Sequence, residues 1–387
     1  MRITEVEVDE FTYLLNDVGN VDGHITYDPG SVTEPRGFVL TIRTADGTEG
    51  HYRGFMMVPP MVTQIEMSAG QLIGRSPLER EAIWQDLWQS LRHTDHFGVG
   101  PIDIALWDLA GKHYGESVSA LLGGFRDSVP AYASTNMGDE SEDGLNSPEG
   151  YANFAEECRD KGYPSFKIHP FGDPDRDVDV IRAVAEAVGD EMDLMLDPAD
   201  GYETYADALK VGRVLDECEY FWYEDPTPAS GHSTHLSARL SDQLQTPLVG
   251  GEHVRTGPTG TADLLAENTF EFIRADGHLD GGITGVMKLA HVAESFGADV
   301  ELHAGGPAHL HCISAIRNTN YFEHALLHPK VTWKNNQALV QDVEIPDSNG
   351  RVAVPDGDGL GVDIDWDFVG SRRTGQTRFD SNGMVKD

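Results

Sequence analysis

The segment Leu194-Met195-Leu196-Asp197-Pro198 is a short apolar run that ends in a carboxylate. Similar runs recur along the chain, separated by stretches with the 3.6-residue periodicity of amphipathic helices. We identify eight such runs, at residues 129–133, 166–169, 192–197, 221–224, 248–252, 272–276, 300–303 and 321–323. Helical stretches between them include residues 177–188, 205–217 and 284–296. Eight strands that alternate with helices predict an α/β protein with a βα barrel.

Polar residues stand at or near the C-terminal ends of six of these runs, namely Lys167, Asp197, Glu224, Glu252, Asp276 and His303. Successive members are 30, 27, 28, 24 and 27 residues apart. One strand, one helix and two loops of a barrel take a similar length of chain, so we expect all six residues on the same rim. Barrel enzymes carry their active sites on the rim formed by the C-terminal ends of the strands.

The three central members of this set, Asp197, Glu224 and Glu252, are carboxylates. Mg²⁺ prefers oxygen ligands in octahedral geometry and leaves positions open for a substrate. Three negative charges that converge without a cation would repel one another. The alternative is three acidic strand ends without a metal in an acidic protein. The regular spacing of the three residues favours a magnesium site.

The N-terminal part of the chain has a different pattern. Residues 3–15 alternate between apolar and polar side chains, and residues 38–54 predict a β-hairpin. Amphipathic helices are expected at residues 77–92 and 101–113. Residues 16–36 are rich in Gly, Asp and Pro and predict a long loop. Together these segments predict an α+β domain that precedes the barrel.

The C-terminal part becomes irregular after residue 340, with Pro346, Pro355 and several Asp-Gly steps. This composition predicts a tail that returns to the first domain. The expected organisation is an N-terminal α+β domain, a barrel domain and a C-terminal tail, at residues 1–126, 127–340 and 341–387.

The charge of the chain is extreme, because 65 acidic residues face 28 basic ones and the net charge is −37. Such a surface repels nucleic acid and anionic membranes, so neither is expected as a partner. The acidic residues are spread along the whole chain, which indicates a folded protein adapted to high salt rather than an acidic tail. At molar salt the Debye length is about 3 Å, which screens this self-repulsion.

The expected location is the cytoplasm. The sequence contains no run of about 18 apolar residues, so no membrane span is predicted. The N-terminal segment alternates like a strand and lacks the apolar core of a signal peptide. Cys158, Cys218 and Cys312 are far apart and form no Cys-x-x-Cys motif, which indicates a reducing compartment.

Seven motifs occur in order along the barrel runs: Phe166-Lys167-Ile168-His169, Leu196-Asp197-Pro198, Tyr223-Glu224-Asp225-Pro226, Gly250-Gly251-Glu252-His253, Arg274-Ala275-Asp276 with Gly281-Gly282-Ile283-Thr284, Leu302-His303, and Tyr321-Phe322-Glu323. Through them, and through residues 100–109, the chain resembles the mandelate racemase subgroup of the enolase superfamily over nearly its whole length. The resemblance implies a modified TIM barrel, (β/α)7β, with an N-terminal α+β capping domain.

The resemblance also implies roles for individual residues. Asp197, Glu224 and Glu252 match Mg²⁺ ligands, and Lys167 matches the lysine of the second barrel strand. Asp276 and His303 match a dyad in which the carboxylate orients the imidazole and raises its basicity. Glu323 matches an acid that hydrogen-bonds the substrate carboxylate.

His169 departs from the pattern of the subgroup, which often has Lys-x-Lys on the second strand. Racemisation needs two bases on opposite faces of the substrate. His169 is a candidate for the second base or for a neutral donor. It is equally a candidate for positioning Lys167 or for contacting the substrate. This departure favours elimination over racemisation.

The chemistry implied by this site is removal of a proton from the carbon beside a substrate carboxylate. The resulting enolate dianion needs strong electrostatic stabilisation, which Mg²⁺ and Lys167 could supply. His303 has a near-neutral reference pKa and can take or donate a proton. We therefore expect an acid-sugar dehydratase in which Lys167 or His303 removes the α-proton and His303 protonates the departing β-hydroxyl, with a 2-keto-3-deoxy acid as product.

Two alternatives use the same motifs. One is a racemase, an epimerase or a cycloisomerase that shares the first proton transfer. The other is a barrel that binds sugar acids without turnover. The expected partner is a small carboxylate substrate, and the expected assembly is a homo-oligomer.

Two more candidates lie in the first domain, where residues 16–36 and 51–57 are expected to cover the barrel mouth. His24 and Arg53 could contact the distal end of a polyhydroxy substrate, although both could equally be exposed loop residues. A separate group of His309, His311 and Cys312 resembles zinc ligands but has no fourth ligand at a suitable spacing. It predicts a loop-to-helix junction with one histidine lining the pocket.

Overall fold

The computed structural model describes residues 1–21, 24–228, 230, 232–255, 257–331 and 344–386, without the side chains of Val21 and His24. Its barrel strands are β6 (Ser128–Thr135), β7 (Ser165–Ile168), β8 (Asp193–Leu196), β9 (Trp222–Glu224), β10 (Leu248–Gly250), β11 (Phe272–Ala275), β12 (Asp299–Leu302) and β13 (Phe322–Leu327). The helices between them are α5 (Pro148–Asp160), α6 (Pro174–Val188), α7 (Tyr205–Glu217), α8 (Thr234–Ser241), α9 (Gly257–Ala266), α10 (Gly282–Phe296) and α11 (Pro307–Ala315).

The eight strands form one parallel sheet in the order β12-β11-β10-β9-β8-β7-β6-β13. The end strands β12 and β13 contact each other, so the sheet curls into a barrel. Seven helices connect the eight strands, which is the (β/α)7β arrangement predicted from the sequence. None of the described helices is long and apolar enough to cross a membrane.

The N-terminal domain contains a second sheet with the order β16-β15-β1-β4-β5. Its strands are β1 (Ile3–Thr12), β4 (Arg36–Thr44), β5 (Glu49–Gly54), β15 (Arg373–Asp380) and β16 (Gly383–Lys386). Four helices follow β5, namely α1 (Val58–Ser68), α2 (Arg80–Ser90), α3 (Val99–Tyr114) and α4 (Val118–Leu122), with a 3₁₀ turn at Ala69–Gln71. The predicted α+β domain is therefore observed.

The prediction of a long loop at residues 16–36 is wrong, because β2 (Leu15–Val21) and β3 (His24–Thr33) pair as an antiparallel hairpin. The pairing shifts register near Asp17, which has a φ of 58° and whose carboxylate accepts a hydrogen bond from Gly30 N at 2.7 Å. The Gly and Asp residues that suggest a loop thus form a bulge and turns. Leu15 and Val18 are buried in a cluster with Phe11 and Val39 of the N-terminal sheet.

The C-terminal segment contacts both domains. β15 runs antiparallel to β1, whereas β14 (Arg351–Ala353) pairs with β6 of the barrel. Helix α12 (Trp366–Arg372) lies between them in sequence. The predicted domain boundary at residue 340 lies outside the described residues, and the division into three parts stays a prediction.

Helices α2 and α3 dock on the loop that follows β11. Gly100 lies so close to this loop that a Cβ there would come within 2.4 Å of His278 O. Trp84 Nε1 donates to Gly281 O at 2.8 Å. Buried Asp103 accepts hydrogen bonds from Thr284 N at 2.8 Å and Thr284 Oγ1 at 2.6 Å. Since α10 begins after Gly281, which has no side chain to cap it, Asp103 supplies the cap from the other domain.

We expect Asp103→Ala to lower the free energy of unfolding by about 2 kcal/mol, because it leaves the buried donors of Thr284 unpaired. Denaturant unfolding at fixed high salt measures this effect. The control is Asp263→Ala on the exposed face of α9, for which we expect a change within about 0.5 kcal/mol. Equal effects of the two substitutions would contradict the assignment of Asp103 as an interdomain cap.

Candidate active site

The interior of the barrel consists of an apolar layer below a charged layer. Tyr132, Met195, Trp222, Val249 and Phe272 form the apolar layer. In a strand, residues two apart point to the same face. Asp197, Glu224 and Arg274 follow Met195, Trp222 and Phe272 at that spacing, so they also point inward, one step closer to the barrel mouth.

The three predicted metal ligands lie together in the charged layer. Asp197, Glu224 and Glu252 each offer a carboxylate oxygen, and these oxygens lie within 4.8 Å of one another. Asp197 and Glu224 are buried, and Glu252 is partly buried. The cluster consists only of oxygen donors, which suits a hard divalent cation.

Unsatisfied carboxylate oxygens accompany this cluster. Burial raises the pKa of Glu224 to about 7, although Arg274 and Lys167 lie beside it. Neither side-chain oxygen of the buried Asp225 has a hydrogen-bond partner among the described residues. Burial and the neighbouring Glu252 raise the pKa of Asp225 well above its usual value. The ionised forms of Glu224 and Asp225 are therefore disfavoured in this arrangement, and a cation beside them would stabilise those forms.

Lys167 lies at the centre of the charged layer and is buried. Its Nζ is 2.9 Å from Asp197 Oδ2, 3.1 Å from Glu224 Oε2 and 3.0 Å from Glu323 Oε1. Burial alone would lower the pKa of Lys167, but Glu224 and Glu323 raise it well above its usual value. Lys167 is thus an ammonium ion that donates hydrogen bonds to Asp197 and Glu224 and forms an ion pair with Glu323.

Arg274 is a site residue that the sequence interpretation missed. It is fully buried, and its Nε lies 2.7 Å from Glu224 Oε1, while its Nη2 lies 2.6 Å from Glu323 Oε2 and donates to Tyr132 Oη at 2.9 Å. The available signal was a guanidinium inside the apolar run 272–276, two residues before Asp276. A charge at such a position needs a buried partner.

The predicted His–Asp pair is formed. His303 Nδ1 lies 2.9 Å from Asp276 Oδ2, and His303 Nε2 lies 3.3 Å from Glu252 Oε1. Burial alone would lower the pKa of His303, but Glu252 and Asp276 raise it to about 9. The imidazole is therefore protonated at neutral pH and can act as an acid.

Glu323 lies between the two cations and the dyad loop. Besides Lys167 and Arg274, it accepts a hydrogen bond from Ala304 N at 2.7 Å. Burial opposes ionisation, but Lys167 and Arg274 hold the pKa of Glu323 well below its usual value. Glu323 is therefore a carboxylate in this arrangement and accepts hydrogen bonds.

The structure places His169 beside Asp197. His169 Nε2 lies 3.1 Å from Asp197 Oδ2, and His169 Nδ1 lies 2.7 Å from the carbonyl oxygen of Thr135. Both partners are oxygen atoms that accept hydrogen bonds. A second histidine, His253, bridges Asp200 at 2.8 Å and Glu252 at 3.5 Å. Hydrogen bonds to these two carboxylates raise the pKa of His253 to about 11.

Of the two predicted substrate contacts in the first domain, the structure describes the side chain of Arg53, which lines a cavity beside the charged layer. Arg53 on β5 forms an ion pair with Glu344, with an N···O distance of 3.1 Å. Both residues line a cavity of about 740 Å³ that also includes Phe55, Met56 and Ala304 in its wall. Because Ala304 directly follows His303, this cavity borders the dyad. The side chain of His24 lies outside the described residues.

Comparison with known proteins gives two family matches. Residues 150–368 match the enolase C-terminal domain-like family, and residues 19–123 match the mandelate racemase/muconate lactonizing enzyme N-terminal domain. The D-galactarolactone cycloisomerase of Agrobacterium fabrum is 30% identical over 346 residues, which cover 86% of this chain and 89% of that protein. The D-xylonate dehydratase of Haloferax volcanii is 27% identical over 345 residues, which cover 82% of this chain and 81% of that protein.

Among solved structures, the chain is similar to D-glucarate dehydratase from Agrobacterium tumefaciens complexed with magnesium. The TM-score is 0.89 and the sequence identity is 35%, and the match covers 97% of this chain and 99% of that chain. Both the barrel and the N-terminal domain therefore have counterparts in one solved enzyme.

We expect Arg274→Met to lower the free energy of unfolding by about 3–5 kcal/mol, because it removes the guanidinium from the buried Glu224 and Glu323 and leaves Lys167 to compensate both of them together with Asp197. Denaturant unfolding in a metal chelator measures the loss. Arg317 is exposed and pairs with Glu294, so Arg317→Met is the control, with an expected change below about 1 kcal/mol. A loss below 1 kcal/mol for Arg274→Met would show that the guanidinium does not balance these carboxylates.

Proposed function

The chain belongs to the mandelate racemase/muconate lactonizing enzyme family of the enolase superfamily, and we propose that it is a magnesium-dependent enzyme that dehydrates an acid sugar to a 2-keto-3-deoxy acid. The observation that carries the proposal is the order of groups along the rim. The strand of Lys167 and the strands of the Asp276–His303 pair flank the three strands that carry Asp197, Glu224 and Glu252. A proton-transfer group therefore lies on each side of the carboxylate cluster.

The residues present fit a bound Mg²⁺. Asp197, Glu224 and Glu252 would hold it, since all three offer oxygen and lie within 4.8 Å of one another. The oxygens of the buried Asp225 accept no hydrogen bond from the described residues, and His253 Nδ1 lies 3.9 Å from Oδ2, so a nearby cation would stabilise its ionised form. When bound, the ion would draw electron density from the substrate carboxylate and so favour loss of the adjacent α-proton.

Lys167 is proposed to take the α-proton. A base needs a free lone pair, so Lys167 must first release a proton and at least one of its three carboxylate contacts. Asp197 and Glu224 are also the proposed metal ligands, and a ligand oxygen that binds a cation is a weaker partner for the ammonium group. The contact with Glu323, at 3.0 Å, would keep Nζ in place after that change.

His303 is proposed to act as the acid of the elimination. Its imidazolium donates a proton to the β-hydroxyl as the Cβ–O bond breaks, so the hydroxyl leaves as water. The electron pair of the Cα–H bond forms the new double bond, and the enol then tautomerises to the ketone. Asp276, at 2.9 Å from Nδ1, holds the ring with Nε2 facing the site.

His169, Glu323, Arg53 and His24 are proposed to position groups in the site. His169 is proposed to orient Asp197 rather than to act as a second base, since its Nε2 lies 3.1 Å from Asp197 Oδ2 and its Nδ1 is tied to the carbonyl oxygen of Thr135. This arrangement favours elimination over two-base racemisation. The resemblance implies that Glu323 is an acid that hydrogen-bonds the substrate carboxylate, but Lys167 and Arg274 favour its ionised form, so we propose instead that it accepts a hydrogen bond from a substrate hydroxyl. Arg53 and His24 are proposed to contact the distal end of the substrate.

Cycloisomerisation is the second candidate function, because one relative at 30% identity is a D-galactarolactone cycloisomerase. The same proton transfers would then expel a ring oxygen instead of a hydroxyl group. The two reactions differ in whether water is released, and one panel of substrates separates them.

The test is a screen of acid sugars in high salt, with 10-fold excess Mg²⁺ over a chelator or with the chelator alone. The panel contains D-glucarate, galactarate, D-gluconate, D-galactonate, D-xylonate and arabinonate, with D-galactarolactone as the cycloisomerase substrate. We expect a 2-keto-3-deoxy product, detected with semicarbazide, only when Mg²⁺ is present. Turnover of the lactone alone would favour cycloisomerisation, and neither product nor α-proton exchange with any compound would refute both candidates.

The two proton-transfer roles predict different defects for two variants. In His303→Asn, we expect dehydration to fall by about 10²–10⁴-fold while solvent deuterium still enters recovered substrate at the α-carbon, because Lys167 remains. In Lys167→Met, we expect both dehydration and exchange to be lost. Mass spectrometry of recovered substrate in deuterated water measures the exchange.

The controls for this pair are His291→Asn and Lys210→Met, which change exposed residues of α10 and α7 and should leave both rates within about twofold. Exchange that persists in Lys167→Met and stops in His303→Asn would reverse the assignment and make His303 the base. Near-normal dehydration in His303→Asn would remove its role as the acid.

A further inference from the structure

His309 connects the two loops that carry the His–Asp pair. It is fully buried on α11. Its Nε2 accepts a hydrogen bond from Gly277 N at 2.8 Å, and its Nδ1 lies 3.1 Å from the carbonyl oxygen of Ala304. Gly277 directly follows Asp276, and Ala304 directly follows His303. One imidazole ring therefore ties together the backbone segments just after both members of the pair.

The hydrogen-bond pattern assigns the protonation state of this ring. Nε2 accepts from a backbone amide, so it carries no proton. Nδ1 must then carry the proton and donate it to Ala304 O. His309 is therefore a neutral imidazole with both nitrogens paired, and it does not donate to Asp276, whose Oδ1 lies 3.5 Å from Nε2. That oxygen accepts a hydrogen bond from His278 N at 2.6 Å.

A metal site at this position is the competing interpretation, because ligand atoms of Asp276, His278 and His309 lie within 4.8 Å of one another. The pairings oppose it. A cation on His309 Nε2 would displace the amide of Gly277, and a cation on His278 Nδ1 would displace the hydroxyl of Tyr52, which lies 2.9 Å away. The lone pairs that a metal would use are already engaged.

The backbone at both anchor points is suited to this ring. Ala304 has a φ of 59°, the left-handed region that side chains other than glycine rarely adopt. It is held there from both sides, since its N–H donates to Glu323 and its carbonyl accepts from His309. At Gly277, an added Cβ would come within 2.9 Å of His309 Nε2. The close approach of the imidazole thus requires glycine at that position.

We propose that His309 is a positioning residue that holds Asp276 and His303 in register for proton transfer by joining the two loops behind them. The conformation of Ala304 sets the direction in which the chain leaves His303, and hence where the His303 ring points. Loss of the link lets the loops move independently and lengthens the contact between His303 Nδ1 and Asp276 Oδ2. The proposal rests on the proposed function only for its kinetic readout.

The helix offers a matched control in His311, which is equally buried. His311 Nδ1 accepts from Ser119 N at 3.1 Å, and its Nε2 lies 3.2 Å from the carbonyl oxygen of Leu360. It therefore makes the same two kinds of backbone hydrogen bond as His309, but to α4 and the C-terminal segment. His309→Leu and His311→Leu should destabilise the protein to a similar extent. A difference in kcat between the two variants would therefore reflect which loops each histidine joins.

The kinetic test compares these variants on the acid that the wild-type enzyme dehydrates. We expect kcat of His309→Leu to fall by about 10²-fold with KM within about twofold, because a misplaced acid affects the reaction more than binding. His309→Asn, which keeps a donor for Ala304 O, and His309→Gln, which keeps an acceptor for Gly277 N, should each recover part of the loss. If His309→Leu does not fold, the His309→Asn and His309→Gln variants still test the proposal. Equal falls in kcat for His309→Leu and His311→Leu would overturn the proposal.

A structural test is independent of substrate. Crystal structures of the variants should show Ala304 outside the left-handed region and the contact from His303 Nδ1 to Asp276 Oδ2 beyond hydrogen-bond distance in the His309 variants, with both features retained in His311→Leu. An unchanged pair in the His309 variants would refute the inference. If the wild-type enzyme converts none of the acids, the proposed function is refuted. The structural comparison of the variants then still decides whether His309 holds the pair in place.

Discussion

The constraint on which the site depends is the balance of charge in a buried layer. Asp197, Glu224 and Glu323 converge where water is largely excluded, and ions buried without partners are costly. Lys167 and Arg274 contact these carboxylates at 2.6–3.1 Å. His303 and His253 lie beside Glu252 at the same rim, and the oxygens of the buried Asp225 accept no hydrogen bond from the described residues. The three carboxylate oxygens of Asp197, Glu224 and Glu252, within 4.8 Å of one another, are what makes the rim suitable for a divalent ion.

The rest of the fold serves to keep this layer in place. The apolar side chains below it fill the barrel, and the alternation of strand residues places each charged side chain one step above an apolar one. From the other side, α2 and α3 dock on the loop after β11 through Trp84 and Asp103. The loop that carries Asp276 is thus fixed by the first domain, by α11 and by the pairing of β11 with its neighbours.

The high negative charge of the chain and the negative charge of the site have different physical consequences. Surface carboxylates at a net charge of −37 repel one another, and salt screens this repulsion. The carboxylates of the site are buried, where screening by salt is weak, and they are compensated by specific partners instead. The overall acidity is therefore a property of the surface, whereas the charges of the six rim residues belong to the site.

The alternation of eight apolar runs with helical stretches was sufficient to predict the barrel. The spacing of six polar residues predicted that they share one rim, because strand, helix and loop lengths repeat in a βα barrel. Composition was misleading for residues 16–36, where Gly and Asp form a bulge and turns of a hairpin. Only the tertiary structure identified Arg274 and His309. Arg274 meets Glu323 across the barrel, 49 residues away, and His309 reaches Gly277, which is 32 residues earlier. Local periodicity contains no information about which distant group a buried charge or imidazole will meet, because those pairings arise only when the sheet closes and the helices pack against it.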